Sequence, residues 1–109
     1  MATNEEVAKV FSEMTNRFRP EKASGIDTMI QFDLAGDSGG KYWVKIADGQ
    51  CTTGEGAIDN AKLTVRASGD DWFNIATGKL NVMQAFMAGK LKVQGDMALG
   101  MKLQPMFGL

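Results

Sequence analysis

The sequence predicts an α+β fold, a five-stranded and mainly antiparallel sheet with helices covering one face, and three observations predict it. Behind a Thr3-x-x-Glu6 signature, Val7, Val10, Phe11, Met14 and Phe18 recur at helical spacing. From Ile30 to Ala67 the apolar period falls to two. Residues 78–104 then form a helix-strand-helix unit with more apolar side chain than a self-contained fold of this size needs to bury.

Each element follows in order. The first helix is predicted over residues 4–18: Thr3 and Glu6 make a capping box, and Pro20 forbids continuation. After Gly25, Ile30, Phe32 and Leu34 alternate with Gln31 and Asp33. Asp37-Ser38-Gly39-Gly40 turns the chain into Tyr42, Val44 and Ile46, which alternate with Trp43 and Lys45. This is a hairpin with one apolar face. Asp48-Gly49 marks another turn, residues 51–56 form a weak Thr- and Gly-rich strand, and Leu63, Val65 and Ala67 mark a fourth, so the sheet begins as an antiparallel meander. Ser68 is placed as an N-cap with Asp70 and Asp71 near the positive helix end, and Trp72, Phe73 and Ala76 give a stripe ending at Gly78. Asn81 caps a short helix of Val82, Met83, Phe86 and Met87 that Gly89 stops. Leu91 and Val93 form the fifth strand, and the last helix starts at Asp96 and ends or bends at Pro105, because the residue before proline avoids the helical region. On that helix Met97 and Met101 lie on one side and Leu99, Leu103 and Met106 on nearly the opposite side. One side can pack on the sheet; the other needs a second apolar partner.

With 109 residues, the chain is expected to form one domain over 1–109. Twelve basic against 13 acidic residues give no footprint for nucleic acid. The charges are uneven, however: residues 1–78 carry 8 basic and 12 acidic side chains, while residues 79–109 set Lys79, Lys90, Lys92 and Lys102 against Asp96 alone. The simplest reading places Lys90 and Lys92 on the solvated face of a strand whose Leu91 and Val93 point inward; anion recognition is the alternative. The lone Cys51 cannot close an internal disulfide, and without histidine the usual zinc sets are lacking. No stretch reaches the roughly 18–20 apolar residues of a membrane span, and the N-terminus is acidic where a signal peptide would be basic and then apolar. The expectation is a soluble intracellular protein.

Catalytic chemistry has little to work with. Nucleophilic Ser or Cys arrangements lose their usual histidine base, and the adjacent Asp70-Asp71 pair is accounted for by a first-turn position. The glycines at 36, 39 and 40, and at 54 and 56, lack phosphate-loop spacing and read as turns. No catalytic residue, metal ligand or cofactor is expected. What stands out is methionine: eight in the chain, with Met83, Met87, Met97, Met101 and Met106 in the last quarter. Methionine is flexible and adapts to variable apolar partners. Core packing accounts for any one of them. Together with the short helices and the two-sided last helix, they favour a cavity between helices and sheet lined by Phe73, Val82, Met83, Phe86, Met87, Met97 and Met101. Such a cavity suits a lipid. Burying about fifteen methylenes at roughly 0.8 kcal/mol each gives on the order of 12 kcal/mol against water, offset by association costs of about 4 to 15 kcal/mol. Transfer from a bilayer is then nearly neutral, as a reversible carrier requires.

These residues carry a resemblance. Thr77-Gly78-Lys79, Gln84-Ala85-Phe86, Gly89-Lys90-Leu91-Lys92-Val93-x-Gly95 and Met97-x-Leu99-x-Met101-Lys102-Leu103 are similar to signatures of the sterol carrier protein type-2 domain family. Weaker similarity extends back through Asp71-Trp72-Phe73, Ala61-x-Leu63-Thr64-Val65, Trp43-Val44 and Gly39-Gly40-Lys41. The resemblance implies a five-stranded sheet, helices over one face and an apolar tunnel between the layers for fatty acids, fatty acyl-CoA, phospholipid or sterol. Carried onto this sequence, it implies a ligand-binding set of Phe73, Val82, Met83, Phe86, Met87, Met97, Met101 and Gln104. Apart from the resemblance, Lys79, Lys90 and Lys102 are the candidates to meet a carboxylate or phosphate headgroup at the mouth. Phe107-Gly108-Leu109 does not read as the peroxisomal address of some relatives, so the cytoplasm is expected. The leading reading is a non-enzymatic lipid carrier, monomeric or homodimeric, with transient membrane contact. A structural or dimerisation module, and an accessory domain presenting lipid substrate to a partner enzyme, are the alternatives.

Overall fold

The computed structural model describes residues 2–109. Helix α1 (Asn4–Arg17) starts at the capping box: Thr3 Oγ1 accepts from the Glu6 N–H at 3.1 Å, and Glu6 Oε1 accepts from the Thr3 N–H at 3.0 Å. It stops short of Pro20, which opens one 3-10 turn (Pro20–Lys22). Strands β1 (Thr28–Ala35), β2 (Gly40–Ala47), β3 (Gln50–Glu55) and β4 (Leu63–Ser68) follow. Then come α2 (Gly69–Ala76), α3 (Val82–Met87), β5 (Leu91–Gly95) and α4 (Met97–Phe107).

The five strands form one sheet in the order β3-β2-β1-β4-β5. Three of its pairings are antiparallel, but β4 lies parallel to β1, with Phe32 opposite Val65. The meander expected from the sequence therefore stops after three strands, and residues 56–62 cross back over the sheet. Gln31 accounts for the crossover. Its Oε1 accepts from the Ile58 N–H at 2.7 Å, and its Nε2 donates to the Tyr42 and Gly56 carbonyls at 2.9 and 3.1 Å. The residue that the alternation marks as merely polar is buried and pins the crossing segment, because each backbone group hidden there needs a partner.

The helices cover one face. Ile30, Phe32 and Leu34, Tyr42, Val44 and Ile46, and Leu63 and Val65 all point into that layer and are buried. Helix α1 answers with Val7, Val10, Phe11 and Met14; Phe11 stacks on Tyr42 at 4.2 Å and meets Phe32 edge-on at 5.1 Å. Trp72 of α2 closes the aromatic group, 4.9 Å from Phe32. Ser68 Oγ caps α2 by accepting from the Asp71 N–H at 3.0 Å. Asp70 does more than favour the helix dipole: its Oδ1 accepts from the Ser38 hydroxyl at 2.9 Å and the Ala2 N–H at 3.0 Å.

Two local expectations are corrected. Gly54 is not a turn residue but lies inside β3, where a Cβ would fall 2.3 Å from the Trp43 ring that covers it on the helix-free face. Of the two outcomes expected at Pro105, an end or a bend, the end does not occur: helix α4 runs through Pro105 to Phe107, closing at Gly108 with φ 64°. Proline deprives the Met101 carbonyl of its i+4 donor, yet tertiary contacts outweigh that loss. Met106 and Phe107 are fully buried, the Arg19 N–H donates to the Met106 carbonyl at 2.8 Å, and Arg17 Nη2 donates to the Gly108 carbonyl at 3.0 Å.

Candidate functional site

At the β4–β5 end of the sheet the helix layer leaves an apolar cavity of about 290 Å³. Val65, Leu91 and Val93 form its floor, Trp72 one wall, Val82, Met83 and Phe86 of α3 a second, and Met97, Gly100, Met101, Leu103 and Gln104 of α4 a third, with Leu109 beside them. The opening follows from helix lengths. Helix α3 has six residues, starts where Asn81 Oδ1 accepts from the Met83 and Gln84 N–H groups at 2.9 and 3.1 Å, and fully buries only Ala85. Helix α4 starts where Asp96 Oδ1 accepts from the Leu99 N–H at 3.1 Å, and commits Leu99, Leu103, Met106 and Phe107 to the core. Its other side, with Met97 49% and Met101 80% exposed, lacks a packed neighbour. Gly100 lets α4 lie close on the sheet: a Cβ there would already sit 3.4 Å from Val93.

Of the residues expected to line such a cavity, Val82, Met83, Phe86, Met97, Met101 and Gln104 are brought together around it. Phe73 and Met87 are not. Phe73 is half-buried against the core, because Trp72, 100° round α2, takes the cavity side; Met87, one step past Phe86, is 82% exposed and stands outside. Lys79, Lys90 and Lys102 are exposed and absent from the lining, one before α3, one after it and one beside Met101. Sequence reasoning missed Val65, Trp72, Leu91, Val93, Gly100, Leu103 and Leu109. The inward period-two positions of β4 and β5 were the signal for three of them. No charged side chain lines the cavity, and Gln104 provides its one amide.

Charge is concentrated on the opposite, helix-free face. Lys41, Asp33, Arg66 and Lys92 lie in register across β2, β1, β4 and β5 and, with Lys90, border a shallow groove of about 580 Å³. Asp33 and Arg66 make the only ion pair among the described residues, at 3.8 Å. Cys51 is half-buried, and burial pushes its thiol up to about 11, away from thiolate chemistry. Burial, then the charge of Glu55, raises Tyr42 above its ordinary value. Among the described residues no group of three or more His, Cys, Asp or Glu side chains could hold a metal, and no helix is long and apolar enough to cross a membrane.

Comparison with known proteins places this architecture. Hydroxysteroid dehydrogenase-like protein 2 of Bos taurus is 32% identical over 99 residues, 90% of this chain and 24% of the relative. The chain thus spans about a quarter of the length of the curated relatives it matches. Among solved structures, the sec-alkylsulfatase Pisa1 from Pseudomonas sp. superposes with a TM-score of 0.73 at 28% identity, over 91% of this chain and 15% of that one. Palmitated SCP2L2 from Aedes aegypti shares the fold, with a TM-score of 0.74 at 21% identity over 94% of this chain and 91% of that one. The model of the SCP-2 sterol transfer family matches residues 11–108, from the middle of α1 to the cap of α4, and the chain belongs to that family.

Proposed function

We propose that residues 1–109 act as one non-enzymatic lipid carrier, taking the alkyl part of a fatty acid, fatty acyl-CoA, phospholipid or sterol into the cavity between α3, α4 and the β4–β5 end of the sheet. The observation that carries this reading is a cavity with apolar walls, no charged side chain and a single amide, Gln104. A volume of about 290 Å³ lies at the small end of the roughly 300–1,000 Å³ usual for ligand sites. Part of a long chain would therefore lie along the exposed Met83, Phe86, Met97 and Met101, whose flexible side chains can close over it. An anionic headgroup has no partner inside; at the mouth its candidate partners are Lys79, Lys90 and Lys102, of which Lys90 also borders the groove on the helix-free face. Phe73 and Met87 belong to this set only if ligand entry turns α2 and α3, which carry them. Membership of the SCP-2 family supports the reading, as does palmitate on a neighbour of the same fold. A cytoplasmic location would keep Cys51 reduced.

The test is native mass spectrometry of freshly purified protein followed by solvent extraction. Adducts that extract as fatty acid, phospholipid or sterol establish the carrier and identify its headgroup class. Protein that carries no lipid and takes up none from added palmitate overturns it. A second reading, presentation of a lipid substrate to an enzyme, is favoured by relatives that carry this region as about a quarter of a longer chain.

A further inference from the structure

Four cations gather at the groove on the helix-free side: Lys41, Arg66, Lys90 and Lys92, all exposed, around about 580 Å³ of open volume. Strand register places three of them in one row. Lys41, Asp33, Arg66 and Lys92 follow one another across β2, β1, β4 and β5, so the charges run plus, minus, plus, plus. Arg66 and Lys92 are direct partners on an antiparallel pair, where Cβ atoms lie about 4.5–5.5 Å apart and like charges destabilise. Lys90, two residues before Lys92, adds its charge on the same side. Two carboxylates share the groove, Asp33 and the half-buried Asp71. Asp33 meets Arg66 in the only ion pair among the described residues, at 3.8 Å, which is beyond hydrogen-bond reach. The guanidinium therefore keeps its fork of N–H donors, and the three lysines have no acid partner. Four cations against two carboxylates leave a surplus of two positive charges in a chain whose net charge is −1.

We propose that this groove binds an organic phosphate, a small molecule whose phosphoryl dianion is held by Arg66 and Lys92 and flanked by Lys41 and Lys90. The two charges of a phosphoryl group match the surplus. Its oxygens match the planar guanidinium, which takes them two at a time, while the ammonium groups add point charges. The groove is large for a free ion: about 580 Å³ falls within the roughly 300–1,000 Å³ of small-molecule sites. Leu34, Ala35 and Ala67 also line it, and offer apolar surface to the body that carries the phosphate. The sequence alone leaves Lys90 and Lys92 between a solvated strand face and anion recognition; what the fold adds is Arg66, set against them by the pairing of β4 with β5. No lining residue is shared with the lipid cavity, so the site lies beyond the carrier reading and is tested without lipid.

The isotope-labelled full chain is titrated at pH 8 with phenyl phosphate, inorganic phosphate and phenol, and its backbone amide shifts are followed by NMR. Phosphate esters are dianions at that pH, their second pKa lying at about 6. Phenyl phosphate should shift the amides of residues 33–35, 66–68 and 89–92 saturably, about three-fold or more tighter than inorganic phosphate, and phenol alone should leave them in place. Arg66→Gln should weaken binding about five-fold or more, and Arg66→Lys less, because a point charge then replaces the fork. Lys92→Gln should weaken it about two-fold or more while leaving the free protein at least as stable to urea, because the like-charged pair is relieved. Lys102→Gln, the same change of charge on α4, should bind like wild type. No saturable shift with phenyl phosphate, Arg66→Gln and Lys92→Gln binding like wild type, or an equal loss through Lys102→Gln would overturn the inference. Inorganic phosphate binding as tightly as phenyl phosphate would overturn the organic body as part of the ligand.

Discussion

The helix layer treats the two halves of the sheet differently. Over β1 and β2, α1 and α2 set down rigid aromatics, with Phe11, Phe32, Tyr42 and Trp72 in stacked or edge contact and Met14 1% exposed among them. Over β4 and β5, α3 and α4 set down methionines on a cavity, with Met101 80% exposed. The first half is packed with side chains of few rotamers that fix one arrangement. The second is lined with side chains that have several, and so can change shape around a guest. Methionine takes part in both, so the residue type does not decide the role; what lies opposite it does.

Five substitutions or reactions sharpen this contrast, from the largest effect on stability downward. Phe11→Ala removes the centre of the aromatic group and should lower unfolding stability by about 3–5 kcal/mol, with Met14→Ala nearby costing about 2–5 kcal/mol, both read from urea unfolding. Values below about 1 kcal/mol would make this half as loose as the other. Asp96→Ala removes the cap of α4 and should cost about 1 kcal/mol, with faster amide exchange at Leu99 as its local signature; unchanged exchange would mean the cap does not hold the helix start. Met101→Glu should change stability by no more than about 0.5 kcal/mol yet weaken fatty-acid binding ten-fold or more, the equivalent of about 1.4 kcal/mol. If it unfolds the protein instead, Met101 is core and the cavity is misplaced.

The smallest effect concerns Cys51, whose thiol burial raises from 9.0 to about 11. A higher folded value means the thiol form is favoured by folding. That contribution is complete below about 9 and is lost as pH rises through about 11. At pH 8, iodoacetamide should alkylate native protein about ten-fold more slowly than denatured protein, a hundred-fold loss of thiolate partly offset by its greater basicity. Equal rates would show β3 to be open.

The caps and the two periodicities were legible because they are local. Thr3, Ser68, Asn81 and Asp96 all cap where the sequence places them, and the alternating runs all become strands. What escaped depends on distant partners. Nothing beside Gln31 tells of Ile58 and Gly56, whose backbone groups make the crossover and set β4 parallel to β1. Nothing beside Pro105 tells that Arg19 holds the helix beyond it. The same limit shaped the cavity. Periodicity showed that α3 and α4 have apolar sides to spare, and so reached Met83, Phe86, Met97 and Met101. It could not say that Trp72 would displace Phe73, or that α3 would stop with Met87 turned out.

The two tryptophans, finally, stand on opposite faces of the sheet: Trp72 on the cavity wall and Trp43 over Gly54 on the helix-free side. The protein thereby carries its own optical gauge. A brominated fatty acid entering the cavity should quench the emission of Trp72 and spare that of Trp43, so occupancy can be followed in unlabelled protein, with Trp43→Phe leaving a single indole that sees only the guest.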